Sequence, residues 1–213
     1  MNITILGAAG NVGRRVVAEA VARGHEVTAI VRSAALPAGF PAAASVQIGD
    51  ATDRADVARL TERQDVVINT TRPPAGDTAR VTRFTRSLLD GVAASGVRLI
   101  IVGGAATLTV PGPAGKTVLE DASYLPVSAR PIGRASADQH EACREERRVD
   151  WAYLSPPANL VPGDRTGRYR LGGNELLLDS EGKSVISIED LAVALIDEAE
   201  NPRHHQQRFT VAY

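Results

Sequence analysis

Asn2-Ile3-Thr4-Ile5-Leu6 runs directly into Gly7-Ala8-Ala9-Gly10-Asn11-Val12-Gly13, after which Val16, Val17, Ala20 and Val21 continue from Val12 at helical spacing as far as Gly24. The first run has the length and β-branched content of a buried strand, and the later apolar set makes one face of a helix. Three glycines at intervals of three lie between them. In such a turn the first glycine permits the tight bend, the second lets the backbone approach a pyrophosphate, and the third allows helix and strand to pack closely. The start of the helix adds free N–H groups and the positive end of a dipole, which suit a phosphate. The strand–turn–helix setting gives the glycine pattern its weight. The alternative is a glycine-rich turn in some other α/β fold.

Outward from that turn, short apolar runs keep alternating with amphipathic stretches. Strands are expected at residues 2–6, 26–31, 46–48, 66–69, 99–102 and 151–154. Val81, Phe84, Leu88, Leu89 and Val92 mark a helix closed by Gly96, and another helix is expected over residues 134–148. This order predicts an α/β fold, a Rossmann-type doubly wound parallel sheet. Residues 109–131 carry Pro111, Gly112, Pro113, Gly115, Pro126 and Pro131 with no sustained period, and read as a long functional loop. After Trp151, expected to be core, the pattern becomes α+β. Residues 155–163 read as loop and residues 169–171 and 175–178 as short strands. Ser187-Ile188-Glu189-Asp190 has the form of a capping box opening a helix with Leu191, Leu195 and Ile196 on one face, and Phe209, Val211 and Tyr213 alternate in a terminal strand. A chain of 213 residues suits one α/β domain, residues 1–213. Residues 155–213 are too few for a second core and are expected to form a small substrate-covering portion.

Composition removes several function classes. The 24 basic and 25 acidic residues are interspersed, for a net charge of −1, so there is no electrostatic footprint for nucleic acid or anionic lipid. No stretch approaches the roughly 20 apolar residues of a membrane helix. The opening residues show neither a basic n-region nor a small-residue cleavage site. Cys143 is the only cysteine, which excludes an internal disulfide and fits a reducing cytoplasm. Its polar neighbours place it as a surface or half-buried thiol. The chain is taken as a monomer or homodimer.

The end of the second strand decides the dinucleotide. An acidic residue there would hold a ribose 2′-hydroxyl, whereas a cation would hold a 2′-phosphate. The residues are Val31-Arg32-Ser33, with no acid. Arg32 offers a bidentate fork and Ser33 a hydroxyl, with Arg14 as a second cation. NADP(H) is therefore expected in preference to NAD(H). An ordinary solvated arginine is the other reading of Arg32.

Beyond these residues the chain resembles the atypical short-chain dehydrogenase/reductases, in the NAD(P)-binding group that includes NmrA-like proteins and biliverdin-IXβ/flavin reductases. The resemblance spans essentially the whole length. It rests on Gly7/Gly10/Gly13, on Gly49-Asp50-Ala51-Thr52-Asp53 after the third strand, and on Asn69-Thr70-Thr71-Arg72-Pro73 after the fourth. It continues in Val102-Gly103-Gly104-Ala105-Ala106-Thr107-Leu108, where Thr107 stands in place of a more usual Ser, and in Ser155-Pro156-Pro157-Ala158-Asn159. The resemblance implies that Ala9, Asn11 and Val12 join the three glycines at the pyrophosphate, and that Asp50 and Ala51 contact the adenine. By the same resemblance Thr70, Thr71 and Arg72 lie beside the ribose, with Gly103, Gly104, Pro156 and Pro157 near the nicotinamide.

One expected element is missing. Typical members of that superfamily use a Tyr-x-x-x-Lys pair, in which the lysine lowers the tyrosine pKa. Here Tyr124, Tyr153, Tyr169 and Tyr213 have no lysine four residues on, and the lysines are Lys116 and Lys183 alone. Alcohol oxidation and sugar-nucleotide epimerisation are thereby disfavoured. Hydride transfer to an acceptor needing little acid help remains: a flavin, a quinone or a conjugated tetrapyrrole. Three candidate catalytic helpers stand out. Thr107 is a hydroxyl donor or a turn cap, Tyr124 a pocket wall or loop packing, and His140 a proton relay or a residue on a polar helix face. His204-His205 lacks the further ligands a metal site needs, and no metal is expected. Residues 164–170 are basic and read as a polar turn, with contact to an acidic substrate as the alternative. The sequence thus points to an NADPH-dependent oxidoreductase acting on a planar, electron-poor small molecule. The alternative is a non-catalytic NADP(H)-binding redox sensor of the NmrA-like type.

Overall fold

A strand covered on both faces must be apolar on both, and the first strands of this chain are nearly continuous in β-branched and aliphatic residues. A computed structural model describes residues 1–72, 78–113 and 115–213; Pro73 of the segment quoted above lies outside the described residues. It contains β1 (Asn2–Leu6), α1 (Gly13–Ala22), β2 (Glu26–Val31), β3 (Ser45–Ile48), α2 (Arg54–Thr61), β4 (Val66–Asn69), α3 (Thr78–Ser95) and β5 (Arg98–Val102). These are followed by α4 (Arg130–Glu145), β6 (Trp151–Ser155), β7 (Asn159–Val161), β8 (Arg170–Gly172), β9 (Val185–Ser187), α5 (Ile188–Glu200) and β10 (Gln207–Ala212). The main sheet has the order β3-β2-β1-β4-β5-β6-β10-β8. Every pairing in it is parallel except β8 against β10. β7 and β9 form a separate parallel pair. This is the expected Rossmann-type doubly wound α/β sheet, with its switch point between β1 and β4.

Alternation along the strands assigns the layers. Ile3 and Ile5 of β1 join Val16, Val17, Leu191 and Leu195 in one cluster, so α1 and α5 cover that face. Leu6, with Val67 and Leu99, joins Val57, Leu88, Leu89, Val92 and Cys143 on the other, under α2, α3 and α4. Leu88 and Leu99 are fully buried, and truncating either to alanine would cost about 2–5 kcal/mol. Cys143 is also fully buried, so its polar sequence neighbours were misleading: they occupy the outer faces of α4 while the thiol points inward. Trp151 is core, as expected.

Differences from the sequence reading lie in the second half. α4 begins at Arg130, earlier than expected, with Pro131 in its first turn, where a missing N–H removes nothing the helix would use. Asn159–Val161 is a strand rather than loop, and Val185–Ser187 pairs with it. Residues 175–178 are not a strand: Glu175 makes one bridge to Thr109, and Leu176 turns into a small third cluster with Leu108 and Val118. Ser187 caps α5 as expected by accepting from the Asp190 N–H at 2.9 Å. The reciprocal half of the box is absent, since the Ser187 N–H goes to the Tyr213 hydroxyl at 3.2 Å. Asp190 instead accepts from the Thr166 hydroxyl at 2.6 Å and the Gly167 N–H at 2.8 Å. Residues 164–170 are therefore an anchored strap rather than a free polar turn, with Arg165 also held by Glu19 of α1 at 2.6 and 2.7 Å. β10 and α5 belong to the main layers themselves.

Candidate functional site

The ladder hydrogen bonds of the sheet continue one residue beyond the strand ends, and this gathers the loops. Ala8 N–H donates to Ile30 at 3.1 Å, Gly49 N–H to Val31 at 3.0 Å, Thr70 N–H to Leu6 at 2.9 Å and Gly103 N–H to Leu154 at 2.9 Å. The glycine turn, the Asp50 segment, the Thr70–Thr71 pair and the Gly103 segment thus leave the sheet along one edge. Open α/β sheets bind ligands at this edge, outside the carboxyl ends of their strands at the switch point.

The turn after β1 has the required shape. Gly7 has φ +79°, where an L side chain is strained. A Cβ on Gly13 would stand 2.2 Å from the Gly7 carbonyl oxygen and 2.8 Å from Thr70 Oγ1, so only glycine lets α1 start so close to the turn. Thr70 Oγ1 donates to the Leu6 carbonyl at 2.8 Å and locks the exit of β4 against the turn. Gly10 N–H is used within the turn, donating to Gly7 at 3.0 Å. Among the described residues, the N–H groups of Ala9, Asn11, Val12 and Gly13 have no acceptor in the protein. α1 also lacks a side-chain cap and an acidic residue in its first turn. Such a helix start is open to an anion. Two buried polar atoms at the ends of strands on either side of β5 also lack partners, Asn69 Nδ2 on β4 and Ser155 Oγ on β6. A dinucleotide fits this edge: the turn has the shape and the free N–H groups that a phosphate requires, and the orphaned groups suit a polar ligand.

Arg32 and Ser33 are exposed just past β2, and among the described residues Arg32 has no ion pair. The same holds for Arg14, whereas its neighbour Arg15 is bound to Glu189. Asp50 and Ala51 sit beyond β3. The Asp50 carboxylate accepts from Thr52 N–H at 2.8 Å and shapes its own turn, and Ala51 is buried. Thr71 is half-buried and Arg72 exposed. Thr71 donates to Asn69 Oδ1 at 2.6 Å, holding that amide in place. Gly103 and Gly104 have a packing reason of their own. A Cβ at 103 would fall 1.9 Å from Cζ of Tyr153, and one at 104 would fall 2.6 Å from Ser136 Oγ. Pro156 and Pro157 are buried as the chain leaves β6.

The three catalytic candidates do not converge. Thr107 accepts a hydrogen bond from Arg208 Nη1 at 2.6 Å. His140 lies nearby, its ring centroid 4.8 Å from that of Tyr153. It is buried rather than on a polar face, and burial, with the Arg208 and Arg144 charges, lowers its pKa to about 4. It is neutral at pH 7. Tyr124 stands apart, packed on the third cluster and donating to the Gly182 carbonyl at 3.3 Å. The other tyrosine hydroxyls are engaged too: Tyr153 with Ser136 at 3.0 Å, Tyr169 with Asp197, and Tyr213 with Asp190 at 2.7 Å. Lys183 pairs with Glu181. Among the described residues no tyrosine hydroxyl is paired with a lysine.

Arg208 was not among the sequence candidates. It is 8% exposed, and its partners are Thr107 Oγ1 and the side-chain Oδ1 of Asn174, the latter reached from Nε at 3.0 Å and Nη2 at 2.8 Å. None of these is a carboxylate, and burial lowers its pKa below the ordinary guanidinium value. The signal was present in the sequence. Strict alternation in β10 sends Phe209 and Val211 to one face and Arg208 with Thr210 to the other, in a strand with neighbours on both sides. His204 and His205 are held by Glu198 and Asp150, and among the described residues no group of His, Cys, Asp and Glu is arranged to hold a metal. No described helix is long and apolar enough to cross a membrane.

A family model described as NAD(P)H-binding matches residues 7–202. The chain belongs to this NAD(P)H-binding family. A relative from Bacillus subtilis (strain 168), the uncharacterized protein YwnB, is 35% identical over 99% of this chain and 98% of its own. Among solved structures, a candidate epimerase from Bacteroides thetaiotaomicron is 36% identical with a TM-score of 0.90, covering 100% of this chain and 96% of that one. A candidate NADH-flavin reductase from Streptococcus pneumoniae TIGR4 is 28% identical with a TM-score of 0.84, covering 100% and 99%. Family membership bears out the resemblance to the NAD(P)-binding group. Together with the likeness to the candidate NADH-flavin reductase, it supports an NAD(P)H oxidoreductase in outline.

Proposed function

We propose that this chain is an NADPH-dependent reductase that passes hydride to a planar, electron-poor acceptor, a flavin or a quinone. The observation that carries the reading is an open dinucleotide turn on a sheet edge where every tyrosine hydroxyl is engaged away from lysine. Likeness to a candidate NADH-flavin reductase supports the acceptor class. When bound, the nicotinamide supplies the hydride. The helix start at residues 9–13 holds the pyrophosphate, and Arg32, Ser33 and Arg14 take the 2′-phosphate in preference to a bare ribose. Asp50, Ala51, Thr70, Thr71 and Arg72 line the adenosine half, with Gly103, Gly104, Pro156 and Pro157 at the nicotinamide half.

Thr107 is the donor nearest this end. Because its oxygen accepts from the Arg208 cation, its own proton is directed outward, and the positive charge makes it a better donor to the acceptor. Neutral His140, between Tyr153 and Arg208, helps keep that wall dry. Tyr124 and residues 109–131, tied to residues 174–176 through Thr109, form the acceptor side together with the C-terminal portion. No single group supplies strong acid catalysis, which suits an acceptor that takes its proton from water. The setting is taken to be a reducing cytoplasm, on the strength of one thiol with no disulfide partner.

The test is a fluorescence titration of cofactor-stripped protein with NADPH and NADH, followed by an acceptor panel. NADPH binding about tenfold or more tighter than NADH, and oxidation of NADPH by a flavin or quinone, are expected. Binding without oxidation of any flavin, quinone or unsaturated carbonyl would overturn the reductase reading.

A further inference from the structure

We propose that the cleft at the start of α4 binds an oxyanion group of the acceptor, a phosphate monoester or a carboxylate, between Arg130 and Arg134. The cleft has a volume of about 370 Å³ and is lined by Leu119, Glu120, Arg130 and Arg134. The two arginines are four residues apart on α4 and so share a helix face. Among the described residues neither side chain has an ion pair or a hydrogen bond. Three other arginines of this region are matched: Arg86 to Glu145, Arg144 to Glu141, and Arg148 to Asp90 and Glu146. Arg130 Nε is moreover buried without a partner. A buried guanidinium N–H left unpaired is costly, and an oxyanion is the ligand that repays it best, through bidentate geometry.

The one carboxylate in the cleft does not meet this demand. Glu120 turns to its own loop, accepting from Thr117 N–H and Oγ1 at 2.8 Å each, and these bonds lower its pKa so that it stays charged. The lining therefore keeps an excess of one positive charge, concentrated on the helix side.

Position links the cleft to the acceptor. Gly133 lies between the two arginines, and a Cβ there would meet Leu119 at 3.0 Å and Ala106 at 3.6 Å. Leu119 N–H donates to the Ala106 carbonyl at 2.9 Å. Ala106 precedes Thr107, so the cleft adjoins the loop that carries the donor hydroxyl. Val127 and Ile132, exposed at 67% and 45%, stand at the same end of the helix. An apolar rim beside a pair of free cations matches a flat ring with an anionic substituent. This inference rests on the hydride-acceptor reading above.

The experiment is a binding measurement on the full chain saturated with NADP⁺, using flavin fluorescence for FMN and riboflavin, and competition for anthraquinone-2-carboxylate and its neutral amide. A charged member binding about tenfold tighter than its neutral twin is expected in at least one pair. The pair that discriminates identifies phosphate or carboxylate as the group. Arg130→Gln and Arg134→Gln should each remove about fivefold or more of that preference, with NADPH affinity and Tm unchanged. Equal binding within both pairs, no binding of any of the four, or a preference that survives both substitutions overturns the proposal. A charge preference without turnover would leave the cleft standing and remove the reductase reading. Turnover without a charge preference would do the reverse.

Discussion

Arg208 on β10 donates a hydrogen bond of 2.6 Å to the hydroxyl of Thr107, a residue more than a hundred positions earlier in the chain, on the loop after β5. With one lone pair occupied by a cation, the threonine proton is free for another partner. Thr107→Val should lower the rate of hydride transfer to the acceptor about tenfold or more and leave NADPH affinity unchanged. Arg208→Lys keeps the charge but not the fork that also holds Asn174, and should fall between the two. Single-turnover kinetics check this; equal rates in wild type and Thr107→Val would remove the hydroxyl from the mechanism.

Arg32 stands exposed past β2, without an internal partner among the described residues. Arg32→Ala should weaken NADPH binding about tenfold and leave NADH binding within about twofold. Parallel titrations decide it, and a similar loss for both cofactors would reassign Arg32 to the shared adenosine half.

Gly103 and Tyr153 share one space. Gly103→Ala places a methyl group 1.9 Å from the ring and should lower stability by about 1–3 kcal/mol, seen as a lower midpoint in urea. Adding Tyr153→Val should recover part of the loss. A double variant less stable than the sum of the two single changes would show that the clash is not what excludes a side chain at 103.

His140 makes stability depend on pH in a definite window. Its pKa in the folded protein is about 4, against an ordinary value near 6.5, because of burial and the nearby Arg208 and Arg144 charges. The unfolded chain takes up the proton first as pH falls. The contribution is therefore fully present above about pH 6.5 and is lost progressively down to about pH 4. It amounts at most to something on the order of 3 kcal/mol. Urea midpoints at pH 7 and pH 5 should differ less in His140→Gln than in the wild type. An unchanged difference would place the pH sensitivity elsewhere.

Cys143 is enclosed under α4, and burial pushes its thiol pKa well above the ordinary value, with Glu146 adding to the shift. A thiol-specific reagent should label it only when the protein unfolds, at a rate that tracks the unfolding equilibrium. Rapid labelling of native protein would contradict that placement.

The sheet was legible in the sequence because strands buried on both faces are written as apolar runs. β1, β2 and β4 fall at the expected residues, and the glycine turn follows from spacing alone. The second half was less legible for identifiable reasons. β7 and β9 have three residues each, too short to establish a period. Pro131 argued for a loop because proline usually breaks helices, yet it stands where a helix tolerates it. His140 and Cys143 were masked by charged neighbours on a helix with only a narrow buried stripe. Arg208 is hidden because an arginine in an alternating terminal strand reads as solvent-facing, whereas β10 has a strand on each side. The acceptor side is built from contacts between residues far apart in sequence, such as Leu119 with Ala106, and no local pattern records them.

The position of β10 has a consequence for how the chain is made. Although it is the last strand in sequence, it is inserted between β6 and β8, so the sheet cannot close until residues 207–212 are available. A nascent chain carrying everything up to α5 would present β6 as an open edge, with Arg98 and Asp150 already in place but nothing to pair against Ala152 and Leu154. Such an edge can recruit a strand from another molecule. The interval between synthesis of β6 and arrival of β10 is thus when that edge is open to a strand from another molecule.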